Sequence, residues 1–299
     1  MRPRSVSLRL PEMSFTSDQV IRALTDDGSF RVLTARTTLT CREAVRKQSA
    51  QGDVARHLAD LLTGTVLVRE TMAPTLRVQG IVRGAAGGCT IVGDSFPDGG
   101  TRGLVNLRNG HNTLDLSHDS VMQFMRSLPN GHVHRGVVEV HEEGGMSAGL
   151  MAYMQDSEQV FTVTAVRSLF DEAGQVRSAG GYVVQLLPDA HKDLVAVMTE
   201  RLAADFSDIT RYVAADNFDP DVLLEEILYR VPFSRVETRD VRFHCPCSQT
   251  SVLASLSTLQ PQDIQQFIDD GEVLDIACDY CGNDYQVAPD QLRGLVSQS

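Results

Sequence analysis

The sequence has 299 residues, 42% of them hydrophobic and 22% charged, with no tryptophan and a formal net charge of -12. That balance is ordinary for a folded chain, and the length predicts one large domain with an appendage, or two domains. The acidic excess and the lack of a basic run speak against nucleic acid as a partner, and no apolar run approaches the roughly 18 residues that cross a bilayer.

The N-terminal residues 1–13 contain Pro3 and Pro11 and little periodicity, and predict a loose leader. No apolar stretch long enough for a signal peptide follows their basic residues, so a cytoplasmic protein with no membrane partner is expected. Ser29 to Thr38 is rich in β-branched residues and predicts a strand. Thr40 followed by Glu43 has the spacing of a capping box and predicts a short helix opened by Thr40. Val54, Leu58, Leu61, Leu62, Val66 and Leu67 recur at three-to-four spacing and predict an amphipathic helix to about Glu70.

The texture then changes. TLRVQGIV, CTIVGDS, GTRGLVNLR and SVMQFMRSL are short runs divided by Gly, Asn, Asp and Pro, which predict strands joined by turns. SLPNGHVHRGVVEV predicts a hairpin turning at Asn130-Gly131. A helix from about Gly145 to Asp156 and the strands QVFTVTAVRSLF and YVVQLLP follow, with DEAGQ as their turn. Beyond Pro188 the chain becomes charged and helical. The predicted class is α+β: a mixed α/β body with an antiparallel sheet (14–188), a helical linker (189–240) and a small C-terminal domain (241–299). That last segment predicts a strand ETRDVRF, two short helices through Leu253 and Ile264, the strand EVLDIA and a closing helix from Pro289.

Four of the six cysteines fall in this tail: Cys245 and Cys247, thirty intervening residues, then Cys278 and Cys281. Two close thiol pairs match the tetrahedral sulfur set of Zn2+, and Pro246 and the Gly282-Asn283 step supply turns that aim both sulfurs inward. A module this small has a marginal apolar core, which a metal supplements. Spacing alone leaves three readings open: a static zinc clip serving a protein- or nucleic-acid-binding module, a catalytic dithiol of a thiol-disulfide oxidoreductase, or a redox sensor. A disulfide across C-x-C closes a strained ring, and strained disulfides are the labile ones, which favours the sensor.

Other chemistry is sparse. Cys41 and Cys89 stand alone and are expected to be buried, inert thiols. His132 and His134 alternate on one strand face and, with His118 or His141, form a weak alternative metal set; His244 is expected to be a neighbour of the cysteines, not a ligand. Met146, Met151 and Met154 at helical spacing are expected in the core. Gly84, Gly87, Gly88, Gly99 and Gly100 lack the lysine of a phosphate loop and predict turns. No serine, histidine and acid triad is assignable, and the protein is not expected to be an enzyme.

HCPCS, the thirty-residue spacer, DDGEVLDIACDYCGNDY and the closing helix together resemble the zinc-binding tail of the redox-regulated 33 kDa heat-shock chaperone family. DSEQVFTV and SAGGYVVQLLP are similar to segments of that family's N-terminal domain. The resemblance implies an ATP-independent holdase with one Zn2+ held by Cys245, Cys247, Cys278 and Cys281 in the reduced form. It also implies that oxidation pairs Cys245 with Cys247 and Cys278 with Cys281, releases the zinc, unfolds tail and linker, and exposes apolar surface to unfolded client proteins. The oxidised form is expected to dimerise.

Overall fold

The computed structural model describes residues 17–85, 88–107, 113–128, 131–188, 190–215 and 217–296. The predicted leader, Gly87 and the Asn130 half of the hairpin turn lie outside the described residues.

The fold is organised around one helix. Gly52–Thr71 forms α2, whose leucine and valine stripe predicts an amphipathic helix. Instead it is buried on nearly every side. The faces away from the stripe carry Ala55, Ala59, Thr63, Gly64 and Thr65, side chains small enough to let strands close over them. Thr63 and Thr65 return their hydroxyls to the helix, donating to the carbonyls of Ala59 (3.0 Å) and Leu61 (2.7 Å), so neither polar group is stranded by burial.

The enclosing sheet contains β1 (Asp18–Thr25), β2 (Phe30–Arg36), β3 (Val78–Arg83), β4 (Cys89–Ser95), β5 (Gly100–Leu107), β6 (Val121–Ser127), β7 (Val133–Glu139), β8 (Thr162–Phe170), β9 (Val176–Leu186) and β10 (Phe233–Phe243). Its spatial order is β7-β6-β3-β4-β5-β10-β1-β2-β9-β8. Strands from both halves, β3, β4 and β5 on one side and β2, β8 and β9 on the other, touch α2, so the sheet curls around it. Close approach is made possible by the cross-strand pair Gly80 and Gly93, where a Cβ on either would come within 2.7 Å of Thr65 Oγ1.

The sheet has a seam. β10 pairs antiparallel with β1 along most of its length, from Asp18 opposite Val241 to Thr25 opposite Phe233. With β5 it pairs in parallel through only Arg242–Gly100 and Phe243–Thr101. The preceding stretch of β10 carries Arg235, Glu237, Arg239 and Asp240; there Arg235 donates to Asp221 and Glu225 of the helix before the strand, and Arg22 of β1 donates to Glu237. The predicted strand ETRDVRF therefore exists, but it is paired within the body sheet. Its alternation of charged residues with Val241 and Phe243 suits a half-exposed strand.

Helix α1 (Thr38–Lys47) corrects one expectation. Its N-cap is Thr37, and the predicted capping box is not formed. Thr37 Oγ1 is engaged with Thr63 Oγ1 at 2.6 Å, and the Thr40 amide and hydroxyl are taken by Asp18 of β1. A carboxylate from a neighbouring strand has replaced the local cap. Helix α3 (Gly145–Asp156) has the predicted bounds; Met146 and Met154 are core, and Met151 is partly covered.

Residues 192–227 supply α4 (Lys192–Asp205), a short α5 (Thr210–Val213) missed in the sequence, and α6 (Pro220–Ile227). They form a second layer on the outer face of β1, β2 and β9. There Met198, Leu202, Phe206, Val213, Leu223, Leu224 and Ile227 pack against Ile21, Val32, Tyr182 and Val184.

Candidate metal centre

The tail continues from β10 without a break. The backbone N–H of His244 donates to the Thr101 carbonyl at 3.0 Å, and Cys245 follows. Pro246 then turns the chain so that Cys247 lies beside the start of α7 (Gln249–Leu256), which Ser248 caps through a reciprocal box with Ser251. After α8 (Pro261–Asp270), the strands β11 (Leu274–Ala277) and β12 (Asp284–Val287) form an antiparallel hairpin whose turn carries the second cysteine pair. The turn is built by N–H donation from Cys278 to Asn283 O (2.8 Å) and from Gly282 to Cys278 O (2.7 Å). Gly282 sits at φ +71°, where a side chain would be strained. Helix α9 (Pro289–Val296) closes the module.

The four Sγ atoms lie within 4.8 Å of one another. Cys245 and Cys278 approach to 3.8 Å and Cys247 and Cys281 to 3.4 Å. Four sulfurs at the usual zinc–sulfur bond length of about 2.3 Å stand about 3.8 Å apart on a tetrahedron, so this donor set fits such an ion. The module's own buried apolar set is small: Ile264, Ile268, Val287 and Leu292. A metal tying the two turns together therefore adds cohesion where packing is thin.

The sulfurs are not electrostatically equal. Burial opposes ionisation of Cys247, but the hydrogen bond from Tyr285 Oη (3.0 Å) and those from the other thiols outweigh it and hold its pKa down at about 7. Asn283 Nδ2 lies 3.9 Å from the same sulfur. Burial pushes Cys281 up to about 12, and burial also raises Cys245 despite its contact with Arg102.

Two body residues reach into the cluster. Arg102 Nη1 of β5 donates to Cys245 Sγ at 3.3 Å, and its guanidinium carbon stands 3.7 Å from the centre of the Tyr280 ring. Gln48, just past α1, donates from Nε2 to the carbonyls of Asp279 (2.8 Å) and Tyr280 (3.0 Å), and its Oε1 accepts from the Val105 amide (2.8 Å). Neither residue was singled out in the sequence, where nothing local ties Arg102 to a cysteine 143 positions away.

The remaining candidates fall elsewhere. Cys41 and Cys89 are buried and their thiols are pushed up by that burial, to about 12 and about 11, which makes them inert. Among the described residues the four tail cysteines are the one group of three or more His, Cys, Asp or Glu close enough to share a metal, so the histidines do not assemble a second site. His118 and His141 are ring neighbours at 6.5 Å, and His244 is exposed with its backbone on Thr101. Gly99, at φ +81°, fits tightly against the Asp240 carbonyl as a turn residue. No described helix is long and apolar enough to cross a membrane.

Known proteins agree with this geometry. The family described as Hsp33 protein matches residues 18–288. A 33 kDa chaperonin of Syntrophotalea carbinolica is 25% identical over 289 residues, covering 94% of this chain and 99% of that protein. The 33 kDa chaperonin of Bacillus subtilis is 25% identical over 294 residues, with 94% and 99% covered. In structure, the 33 kDa chaperonin of Thermotoga maritima superposes with a TM-score of 0.78 at 20% identity, covering 94% of this chain and 98% of that one. Matched from the first strand of the sheet to beyond its second cysteine pair, the chain belongs to the Hsp33 family.

Proposed function

We propose that this protein is a redox-regulated, ATP-independent holdase of the cytoplasm, whose four-cysteine site is the switch and whose clients are unfolding proteins. The observation that carries the reading is the convergence of Cys245, Cys247, Cys278 and Cys281 on one point, with the first pair directly continuing β10, the seam strand of the body sheet. A zinc ion, when bound, supplies four bonds to sulfur that join the two turns. Once the thiolates are consumed as disulfides, Cys245 with Cys247 and Cys278 with Cys281, the ligand set no longer exists.

The module then rests on the small cluster around Ile264, Ile268, Val287 and Leu292, too little apolar burial to hold it folded. Loss of order spreads upstream through β10 to the layer of α4 and α6, which covers Ile21, Val32, Tyr182 and Val184. Uncovering that face creates the contiguous apolar surface that a holdase needs. On this reading residues 14–188 are the body, 189–240 the metastable linker and 241–299 the switch domain, and the activated form self-associates through the uncovered surface.

The test is to titrate hypochlorous acid into reduced, zinc-loaded protein while following zinc release and suppression of aggregation of a heat-denatured client. Both should rise together, with two electrons removed per disulfide. Zinc release without suppression would leave a static structural site, and catalytic reduction of insulin would make the protein an oxidoreductase.

A further inference from the structure

The body face that meets the cysteine module carries unbalanced charge. Asp94 of β4 is fully buried and holds two guanidinium groups: Arg77 at 2.7 and 2.6 Å, and Arg102 at 3.1 Å. Both arginines also lie over the Phe96 ring, at 5.1 and 5.5 Å. One carboxylate against two guanidinium groups leaves about one positive charge, and the Arg102 side chain, only 14% exposed, is poorly placed to give that charge to water. It is turned to the module, donating to Cys245 Sγ and stacking on Tyr280 between the second pair of cysteines.

We propose that Arg102 is the body's half of a charge-reading latch for the cysteine module. The inference rests on the redox reading above and adds how the body senses the state of the sulfurs. Four thiolates around a divalent cation carry a net charge of -2 and complement the positive face. Oxidation removes it: each thiolate pair gives two electrons to hypochlorous acid, one S–S bond forms, chloride and hydroxide leave, and the divalent cation passes to water. The sulfur site is then neutral, and Arg102 has lost the anion it faced.

Gln48 supplies a contact of a different kind. It grips the carbonyls of Asp279 and Tyr280 and so reads the shape of the turn, not its charge. Removing Gln48 should loosen docking of the reduced module without altering the charge that Arg102 faces, and leave the response to oxidant intact. Removing the Arg102 charge should loosen docking in the reduced state alone. The cleft between the two parts, about 470 Å³ and lined by Phe96, Val252, Leu256 and Ile276, would open in either case.

The experiment compares full-length wild type with Arg102→Met, Arg102→Lys, Gln48→Ala and Tyr280→Leu, each reduced and verified to hold one zinc. Hydrogen exchange is read at the Val105 amide and at 279–282. A charge-assisted hydrogen bond of this kind corresponds to roughly tenfold or more in the docking equilibrium. Arg102→Met should therefore exchange faster by about that factor with zinc retained, approaching oxidised wild type, and Arg102→Lys should fall between. Unchanged exchange in Arg102→Met overturns the latch; should that variant fail to fold, unchanged exchange in Tyr280→Leu does the same. If wild type releases zinc and suppresses aggregation on oxidation while the variants match it when reduced, the latch alone has failed. If exchange at Val105 responds as stated but no suppression of aggregation ever appears, the latch stands and the holdase reading falls.

Discussion

Asp18 caps a helix that begins twenty residues after it. Its Oδ2 accepts from the Thr40 amide at 2.7 Å and from Thr40 Oγ1 at 2.8 Å, joining β1 to the first turn of α1, while Arg36 Nε stands 3.8 Å from Oδ1. Burial pushes the Asp18 carboxyl upward against these hydrogen bonds. Asp18→Ala should remove the cap on Thr40 and one of the acidic groups beside Arg36, leaving Asp219, a loss of about 1–2 kcal/mol by the usual cost of deleting a helix cap. Asp18→Asn keeps an acceptor for Thr40 and should cost less. Urea midpoints for the two variants check the order, and equal midpoints would show that the cap contributes nothing.

The closeness of sheet and central helix is testable at Gly93. A Cβ there meets Thr65 Oγ1 at 2.7 Å and Thr65 Cβ at 3.3 Å, and Thr65 is fixed by its bond to Leu61 O. Gly93→Ala should destabilise by roughly 1–3 kcal/mol through overpacking. Adding Thr65→Ala should restore part of that loss, so the pair is expected to be less destabilising than the sum of the singles. Strict additivity in thermal melts would mean that the strand shifts without touching Thr65.

How much of this was legible in the sequence depended on whether the signal was local. The second cysteine pair announced itself because Gly282 and Asn283 follow it immediately, and the turn is closed by backbone groups within six residues. Helix α3 was legible because Met146, Leu150 and Met154 recur at helical spacing along it. Helix α2 was recognised as a helix but misjudged as amphipathic, since alanine, glycine and threonine on its other faces look neutral until a sheet is known to cover them. The Thr40 capping box failed for the mirror reason: the sequence shows a competent local partner, and a stronger distant one, Asp18, displaced it. Tyr285 lay inside the quoted cysteine motif, yet only the folded hairpin brings its hydroxyl to Cys247.

The helical layer over the sheet gives a third expectation. Leu223 and Leu224 of α6 are fully buried beside Ile21 and Val32. Leu223→Ala removes three methyl-sized groups from a packed site, at a cost of about 2–4 kcal/mol. Because α6 lies on the face that activation is proposed to uncover, this variant should suppress client aggregation to a measurable extent while still reduced and zinc-loaded. A variant that is destabilised in urea but silent in the reduced aggregation assay would separate this layer from client binding.

Asp60 supplies a pH dependence of definite sign. It lies on α2 at the edge of a cavity of about 560 Å³, its Oδ1 makes no hydrogen bond among the described residues, and burial lifts its pKa from 3.8 to about 6 despite the opposing Ser168 and arginine contacts. A carboxyl whose pKa is raised on folding favours the native state while protonated. Its contribution is therefore full below pH 3.8 and is lost as pH rises through about 6. At pH 7.5 the ionised group opposes folding by an amount on the order of 3 kcal/mol. Asp60→Asn, neutral at every pH, should thus raise the melting temperature at pH 7.5 and lose most of that advantage by pH 4.5. A constant difference across this range would show that Asp60 does not change its protonation on folding, and an advantage that grows on acidification would reverse the assigned sign.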